Sequence, residues 1–204
     1  MNLGVSDLLV VIPVILISMT FHEAMHAFTS HWLGDTTARD LGRLTLNPLK
    51  HIDLVMTLLL PVMLIAVGVP PIFAAKPVPF NPDRVRYDEY GAALIALAGP
   101  LTNLVLAMFG AGMYHLLQPV GVLESVIGIF IIINLSFFVF NMLPLPPLDG
   151  SRVLFAVAPE PIQKIMYQIE MMGFGLTLLI LLVLIPFISP ILTFAIDGLL
   201  RILV

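Results

Sequence analysis

The residues His22-Glu23-Ala24-Met25-His26 have types and a spacing that could bind and use a metal ion. On an α-helix, positions i and i+4 lie one above the other on one face, so both imidazoles could reach the same ion. Glu23 lies beside them, where its carboxylate could take a proton from a water molecule. The alternative is a solvated helix face that carries these residues by accident.

The position of this motif in the chain argues against a solvated face. It follows a run of fourteen uncharged residues, 8–21. Ionisable groups at membrane depth cost at least about 2.5–3.5 kcal/mol each on insertion scales, so they usually mark a functional site. We therefore expect His22 and His26 to be metal ligands.

A catalytic zinc site needs a third protein ligand and an open fourth position. Asp149 is the favoured candidate, because it ends a run of 24 uncharged residues, 125–148, and follows three prolines that would unwind a helix end. Its alternative role is to cap a helix that starts near Ser151. The remaining histidines are expected to be interfacial, surface or packing residues: His31, His51 and His115.

The composition of the 204-residue chain excludes a soluble globular protein. Hydrophobic residues make up 59% and charged residues 11%, whereas soluble domains contain roughly 45–50% and about 25%. The net charge is −4 and there is no cysteine, so a nucleic-acid binder, a disulfide and a thiolate metal site are also excluded. We expect an integral, multi-pass membrane protein with the lipid bilayer as a partner and no nucleic acid.

Long uncharged stretches predict the membrane segments. Four of them reach or exceed the roughly 20 residues that cross a bilayer, and the first apolar stretch, about 7–33, is equally long but is interrupted by His22, Glu23 and His26. The predicted fold class is an all-α polytopic membrane protein with about five transmembrane helices plus a re-entrant segment. It forms a single domain over 1–204, with a core at about 7–154 and additional C-terminal membrane helices at about 162–204. The four uncharged stretches are 54–75, 91–123, 125–148 and 171–196.

A short polar stretch after the first helix has a strand-like pattern. Leu44 and Leu46 alternate with Arg43, Thr45 and Asn47, which permits a short β element. The alternative is an ordinary polar connection, which this pattern alone favours.

Three motifs together resemble the signature set of the site-2 proteases, which are intramembrane zinc metalloproteases. The resemblance covers about residues 7–154. This sequence contains no PDZ-like or nucleotide-sensing module of the kind found in some members. The stretch 54–75 is an addition to the family's minimal core. The motifs are His22-Glu23-x-x-His26, Ala98-Gly99-Pro100-x-x-Asn103 and Asn141-x-x-Pro144-x-x-Pro147-x-Asp149-Gly150.

The resemblance implies a set of roles for these residues. One Zn²⁺ per chain would be held by His22, His26 and Asp149, and Glu23 would be the catalytic base. The substrate would be a transmembrane protein or peptide, cut within or near its transmembrane helix.

The resemblance also suggests substrate-positioning residues. Asn103 and Asn141 are candidates, although interhelical hydrogen bonding is the alternative for both. The stretch Arg43–Asn47 could accept an unwound substrate segment as an added strand.

Two other functions use the same residues. A membrane metal transporter could use the His/Glu/Asp site for transit, but such transporters usually have a second, symmetry-related half, and none is visible. A catalytically silent homologue could bind membrane helices, but it is expected to lack Glu23 or a ligand.

The proposed metal site requires a topology that brings His22, His26 and Asp149 to the same side of the membrane. If the stretch 54–75 crosses the membrane, Asp149 lies roughly 20 Å from His26 at a helical rise of about 1.5 Å per residue. If the stretch dips in and returns, the three ligands can converge. The re-entrant arrangement places all nine Lys and Arg residues on one side instead of dividing them three to six, which fits a cytoplasmic face. We therefore expect a protein of the cell membrane whose active site opens toward the cytoplasm and whose N-terminus lies outside.

Overall fold

The structure is a computed structural model and describes residues 5–52 and 78–204. The described residues form seven α-helices, two short 3₁₀ turns and no strand, which confirms the all-α membrane fold. The predicted re-entrant segment at 54–75 lies outside the described residues. The helices are α1 Val5–Trp32, α2 Thr37–Asp40, α3 Asp88–Leu117, α4 Val122–Asn141, α5 Asp149–Val157, α6 Glu160–Met171 and α7 Phe174–Leu203.

Within the described residues, four helices are long and apolar enough to cross a membrane: α1, α3, α4 and α7. The sequence predicted about five, and the difference lies at the C-terminal end. There a single helix, α7, runs from Phe174 to Leu203 and contains Pro186 and Pro190. A membrane helix can continue through proline because neighbouring groups satisfy the freed backbone carbonyls. The helix before it, α6, is amphipathic rather than apolar throughout.

Helix α3 is the centre of the bundle and packs against α1, α4 and α5. Its small residues Ala107 and Ala111 meet Ile127, Ile131 and Leu135 of α4 in a buried apolar cluster. Small side chains let two membrane helices approach closely, which is where van der Waals packing stabilises them. The last two turns of α7 cover this cluster from outside.

The connections place several chain segments at one end of the bundle. The backbone N–H of Arg86, just before α3, donates to the carbonyl of Leu33, just after α1, at 3.0 Å. At the opposite end, His115 Nε2 donates to the carbonyl of Leu203 at 2.7 Å. The C-terminal end of α1 and the start of α3 therefore share one end, which we call the proximal end. The end of α3 and the end of α7 share the distal end.

The ordinary polar connection that the pattern favours at Arg43–Asn47 is confirmed, because the described residues there form a bend and irregular backbone, and the possible short β element is not formed. Local hydrogen bonds replace strand pairing: Thr45 N–H donates to the Arg43 carbonyl at 2.9 Å, and Asn47 N–H donates to Thr45 Oγ1 at 3.1 Å. The Thr45 carbonyl in turn lies 2.8 Å from Nε2 of the buried His51. Alternation over five residues does not make a strand when local partners take up the backbone groups.

Candidate metal centre

The two histidines of the first motif lie on α1 as predicted. His22 and His26 are both buried, with 7% and 8% of their surfaces exposed, and both fall within the membrane-spanning part of α1. The i, i+4 spacing brings their rings into edge contact, with centroids 4.6 Å apart and Nε2 atoms 3.0 Å apart. Both Nε2 atoms face one common point, where a single metal ion could bind.

Asp149 reaches the same place from the start of α5. Leu148, not Asp149, is the N-cap residue of that helix, and Asp149 is its first helical residue. The capping alternative for Asp149 is therefore wrong. Gly150 makes this position possible, since a Cβ atom there would collide with the carbonyl oxygens of Met142 and Leu143 at the end of α4.

The three side chains could hold one metal ion. Asp149 Oδ2 lies 3.1 Å from His22 Nε2 and 3.4 Å from His26 Nε2, and all three ligand atoms lie within 4.8 Å of one another. Asp149 Oδ2 is buried and accepts no hydrogen bond from the described residues. Two imidazole nitrogens and an orphaned carboxylate oxygen form a donor set that suits zinc, with room for a fourth, open position. The residues present thus fit the metal that the sequence predicts.

Gly99 on α3 provides the space for both imidazoles. A Cβ atom there would collide with His26 Nε2 and lie 2.7 Å from His22 Cε1. This role of Gly99 could not be deduced from the sequence, because the contact joins distant parts of the chain.

The other nitrogen of each histidine ring is hydrogen-bonded. His22 Nδ1 lies 2.7 Å from Asn103 Oδ1, and His26 Nδ1 lies 2.6 Å from the carbonyl oxygen of Ile95. Both partners are acceptors, so each Nδ1 carries the proton and each Nε2 presents its lone pair. Metal-bound histidines are typically held in this way.

Glu23 lies in contact with the chain segment that precedes α3. Its Oε2 accepts a hydrogen bond from the backbone N–H of Val78 at 3.0 Å. The segment Val78–Phe80, which we call the strap, has no regular secondary structure and lies along the cavity next to Glu23. One carboxylate oxygen of Glu23 is thereby fixed beside the two histidines.

Asp35 anchors the strap at its other end. The Asp35 side chain is fully buried and accepts the N–H of Asn81 at 2.9 Å, as well as bonds from Ser30 and Thr37. Burial raises the pKa of a carboxyl group, but these hydrogen bonds outweigh it and hold the pKa of Asp35 below its ordinary value of 3.8. Asp35 therefore remains ionised and ties the strap to the end of α1.

The metal-ligand group opens into a cavity of about 760 Å³. Its lining comes from α1, the strap, α3, α4, the start of α5 and α7, and it includes His22, Glu23, His26 and Asp149. Most of the remaining lining is apolar, contributed by α4 and by the N-terminal two thirds of α7. The cavity thus joins a polar centre to an apolar, membrane-level space.

Among the predicted substrate-positioning residues, only Asn141 is found in the described cavity lining. Asn141 lines the cavity, and its Nδ2 donates to the Phe137 carbonyl one turn earlier. Asn103 is fully buried behind His22. The residues of 43–47 are absent from the described part of the cavity lining. Among them, Arg43 is buried, and Leu46 is half exposed.

The fold and the site define a class, a multi-pass membrane protein in which a His-His-Asp group that could hold a metal ion lies beside a glutamate. The profile of Peptidase family M50 matches residues 118–184. No solved structure matches the chain.

Three relatives carry the name "Putative zinc metalloprotease". YwhC of Bacillus subtilis is 36% identical over 78% of this chain and 74% of its own length. Rip2 of Mycolicibacterium smegmatis is 32% identical over 82% and 64%, and MJ0611 of Methanocaldococcus jannaschii is 36% identical over 66% and 63%. The chain belongs to peptidase family M50, the site-2 protease family of zinc metalloproteases. The family resemblance expected from the three motifs is confirmed.

Proposed function

We propose that this chain is an intramembrane zinc metalloprotease that hydrolyses peptide bonds within or near the transmembrane helices of membrane proteins. The observation that carries the proposal is the convergence of His22, His26 and Asp149 on one point, beside Glu23, in a cavity at membrane depth. Membership of family M50 supports the same chemistry.

Each residue has a separate task in this reaction. His22, His26 and Asp149 would hold the zinc ion, which would supply an acidified water molecule and polarise the scissile carbonyl. Glu23 takes a proton from the attacking water and gives it to the leaving amine. Its hydrogen bond to Val78 N–H keeps the carboxylate aimed at the centre while it does so.

The cavity wall determines what can reach the centre. The apolar faces of α4 and α7 suit the side chains of a transmembrane helix, and Asn141 lies among them as a polar contact for a substrate amide. A substrate helix hides its carbonyls in internal hydrogen bonds, so it must unwind near the centre before cleavage. Asn141 could donate to such a freed carbonyl after releasing the Phe137 oxygen.

The test compares wild type with Glu23→Gln in detergent, using Glu124→Gln as the control. Glu124 is exposed on α4 and accepts only from Tyr114 among the hydrogen bonds observed in the described residues. Zinc per chain is measured by elemental mass spectrometry, and activity by cleavage of a model transmembrane peptide. We expect one zinc in all three proteins, with cleavage lowered by about 10²–10⁴-fold in Glu23→Gln alone.

These two measurements, together with a zinc-flux assay in proteoliposomes, separate the alternatives. Cleavage by Glu23→Gln at the wild-type rate would contradict the role of Glu23 as the base. Zinc binding without cleavage by the wild type would instead indicate a silent, helix-binding homologue. Zinc flux through proteoliposomes containing Glu23→Gln would indicate a transporter.

A further inference from the structure

A second buried amide lies behind the metal centre. Asn134 on α4 is fully buried and lies outside the described cavity lining. It lies in a candidate membrane span with a mean hydropathy of 2.3, where an amide without hydrogen-bond partners costs several kcal/mol. Neither the mechanism above nor the sequence motifs give it a role.

The hydrogen bonds of Asn134 lead step by step to a metal ligand. Its Nδ2 donates to the carbonyl of Phe130 at 2.9 Å. Its Oδ1 accepts from Nδ2 of Asn103 at 3.0 Å, and Oδ1 of Asn103 lies 2.7 Å from Nδ1 of His22. Three membrane helices, α4, α3 and α1, are thus joined through a single polar chain.

The direction of every bond in this chain follows from its ends. The Phe130 carbonyl can only accept, so Asn134 must present its nitrogen to Phe130 and its oxygen to Asn103. Asn103 must then present Nδ2 to Asn134, and the Ser18 carbonyl, 3.2 Å from the same Nδ2, requires the same orientation. The Asn103 oxygen is left facing His22, whose Nδ1 must carry the proton.

The second histidine depends on no such chain. His26 Nδ1 lies 2.6 Å from the backbone carbonyl of Ile95, which the helix itself positions. Of the two imidazoles, His22 is therefore the one whose ring orientation depends on side chains, and those side chains are Asn103 and Asn134.

We propose that Asn134 is a positioning residue of the metal centre, which fixes the amide of Asn103 and through it the tautomer and ring orientation of His22. This inference rests on the proposed function only in taking His22 as a metal ligand. It predicts that removing the Asn134 amide weakens metal binding although Asn134 contacts no ligand atom.

The test measures zinc affinity by chelator competition on the purified full chain in detergent. We expect Asn103→Leu to weaken zinc binding by about 10–100-fold, the range for partners of metal-bound histidines, and Asn134→Leu to weaken it by a smaller factor of at least about 3-fold. The double variant should bind no more weakly than Asn103→Leu, because Asn134 acts through Asn103. Asn134→Asp keeps the oxygen that Asn103 donates to, and should recover most of the affinity.

Leu135→Ala is the structural control. Leu135 is the neighbouring, fully buried residue of α4, so its truncation lowers the unfolding temperature but should leave zinc affinity unchanged. Wild-type affinity in Asn134→Leu, or losses that multiply in the double variant, would overturn the inference. An equal loss of affinity in Leu135→Ala would also overturn it, since general loosening would then be the cause. Failure of the wild type itself to bind zinc would instead count against the proposed function.

Discussion

At the scale of single residues, the three proposed metal ligands are ionisable groups within apolar sequence, where such groups are costly. Two histidines at helical spacing in an apolar stretch, and a carboxylate after three prolines, are improbable unless they have a partner. The structure places His22, His26 and Asp149 together, and their role as ligands stays a prediction until zinc is measured.

The residues that support these ligands are of common types and gave no such signal. Gly99 matters because α1 presses two imidazoles against it, and that contact exists only after α1 and α3 pack. Asn134 left one trace in the sequence, since it is one of only two amides, with Asn141, in the uncharged run 125–148. Its partner could not be deduced, because nothing in the sequence states which helix faces it.

Gly99→Ala should weaken zinc binding by about 10-fold or more, because the added methyl group displaces both rings from the position that binds the metal. Zinc affinity by chelator competition checks this expectation. Gly112→Ala is the matched control, since it is the same change on the same helix with open space around it. Equal zinc affinity in the two variants would show that Gly99 does not shape the site.

At the scale of elements, the long apolar helices were predictable and the connections were not. The bilayer favours a helix in a long uncharged stretch, so α1, α3 and α4 were expected, whereas more than one membrane helix was expected where the single α7 lies. The alternating leucines of 43–47 permit a strand, but the backbone groups there bond locally, and the polar connection that the pattern favours forms instead. The strap is marked in the sequence only by Pro79, and its contact with Glu23 spans 55 residues of chain.

Asp35→Asn should destabilise the protein, because an amide offers one acceptor oxygen where the carboxylate accepts four hydrogen bonds. Each buried group left without a partner costs about 1–3 kcal/mol. The thermal unfolding midpoint in detergent at pH 7 measures the loss. Asp40→Asn, an exposed carboxylate on α2, serves as the control and should change the midpoint little.

The pH dependence of this effect has a defined sign. The pKa of Asp35 in the folded protein lies below 3.8, so its stabilising contribution is fully present above that value and is lost as pH falls through the folded pKa. Stability differences between wild type and Asp35→Asn should therefore be constant from pH 5 to 7 and shrink below about pH 4. A difference that grew in acid would mean that the pKa of Asp35 is raised instead.

At the scale of the whole molecule, one continuous α7 changes the expected charge distribution. With α7 crossing once, Arg201 lies at the distal end, together with His115 and Leu203. Seven of the described Lys and Arg residues lie in connections or helices at the proximal end. The expectation that all nine Lys and Arg residues lie on one side is therefore wrong for Arg201. The described basic residues of the proximal end are Arg39, Arg43, Lys50, Arg84, Arg86, Arg152 and Lys164.

The excess of basic residues predicts that the proximal end, and with it the metal centre, faces the cytoplasm. Because the chain has no cysteine, single cysteines report their side cleanly through labelling of intact cells with a membrane-impermeant thiol reagent. Leu49 and Val120 are well exposed at the proximal and distal ends, at 75% and 81%. We expect the reagent to label Val120→Cys from outside, and Leu49→Cys only after the cells are permeabilised.

Val204→Cys tests the single crossing of α7 in the same assay. Val204 directly follows the last residue of α7, and Leu203 is tied to the distal end through His115, so external labelling should match that of Val120→Cys. Two crossings after α6 would instead return the C-terminus to the side of Leu49. Labelling of Val204→Cys only after permeabilisation, with Val120→Cys labelled outside, would therefore contradict the single helix. Labelling of Leu49→Cys in intact cells would instead indicate the opposite orientation, with the metal centre toward the outside.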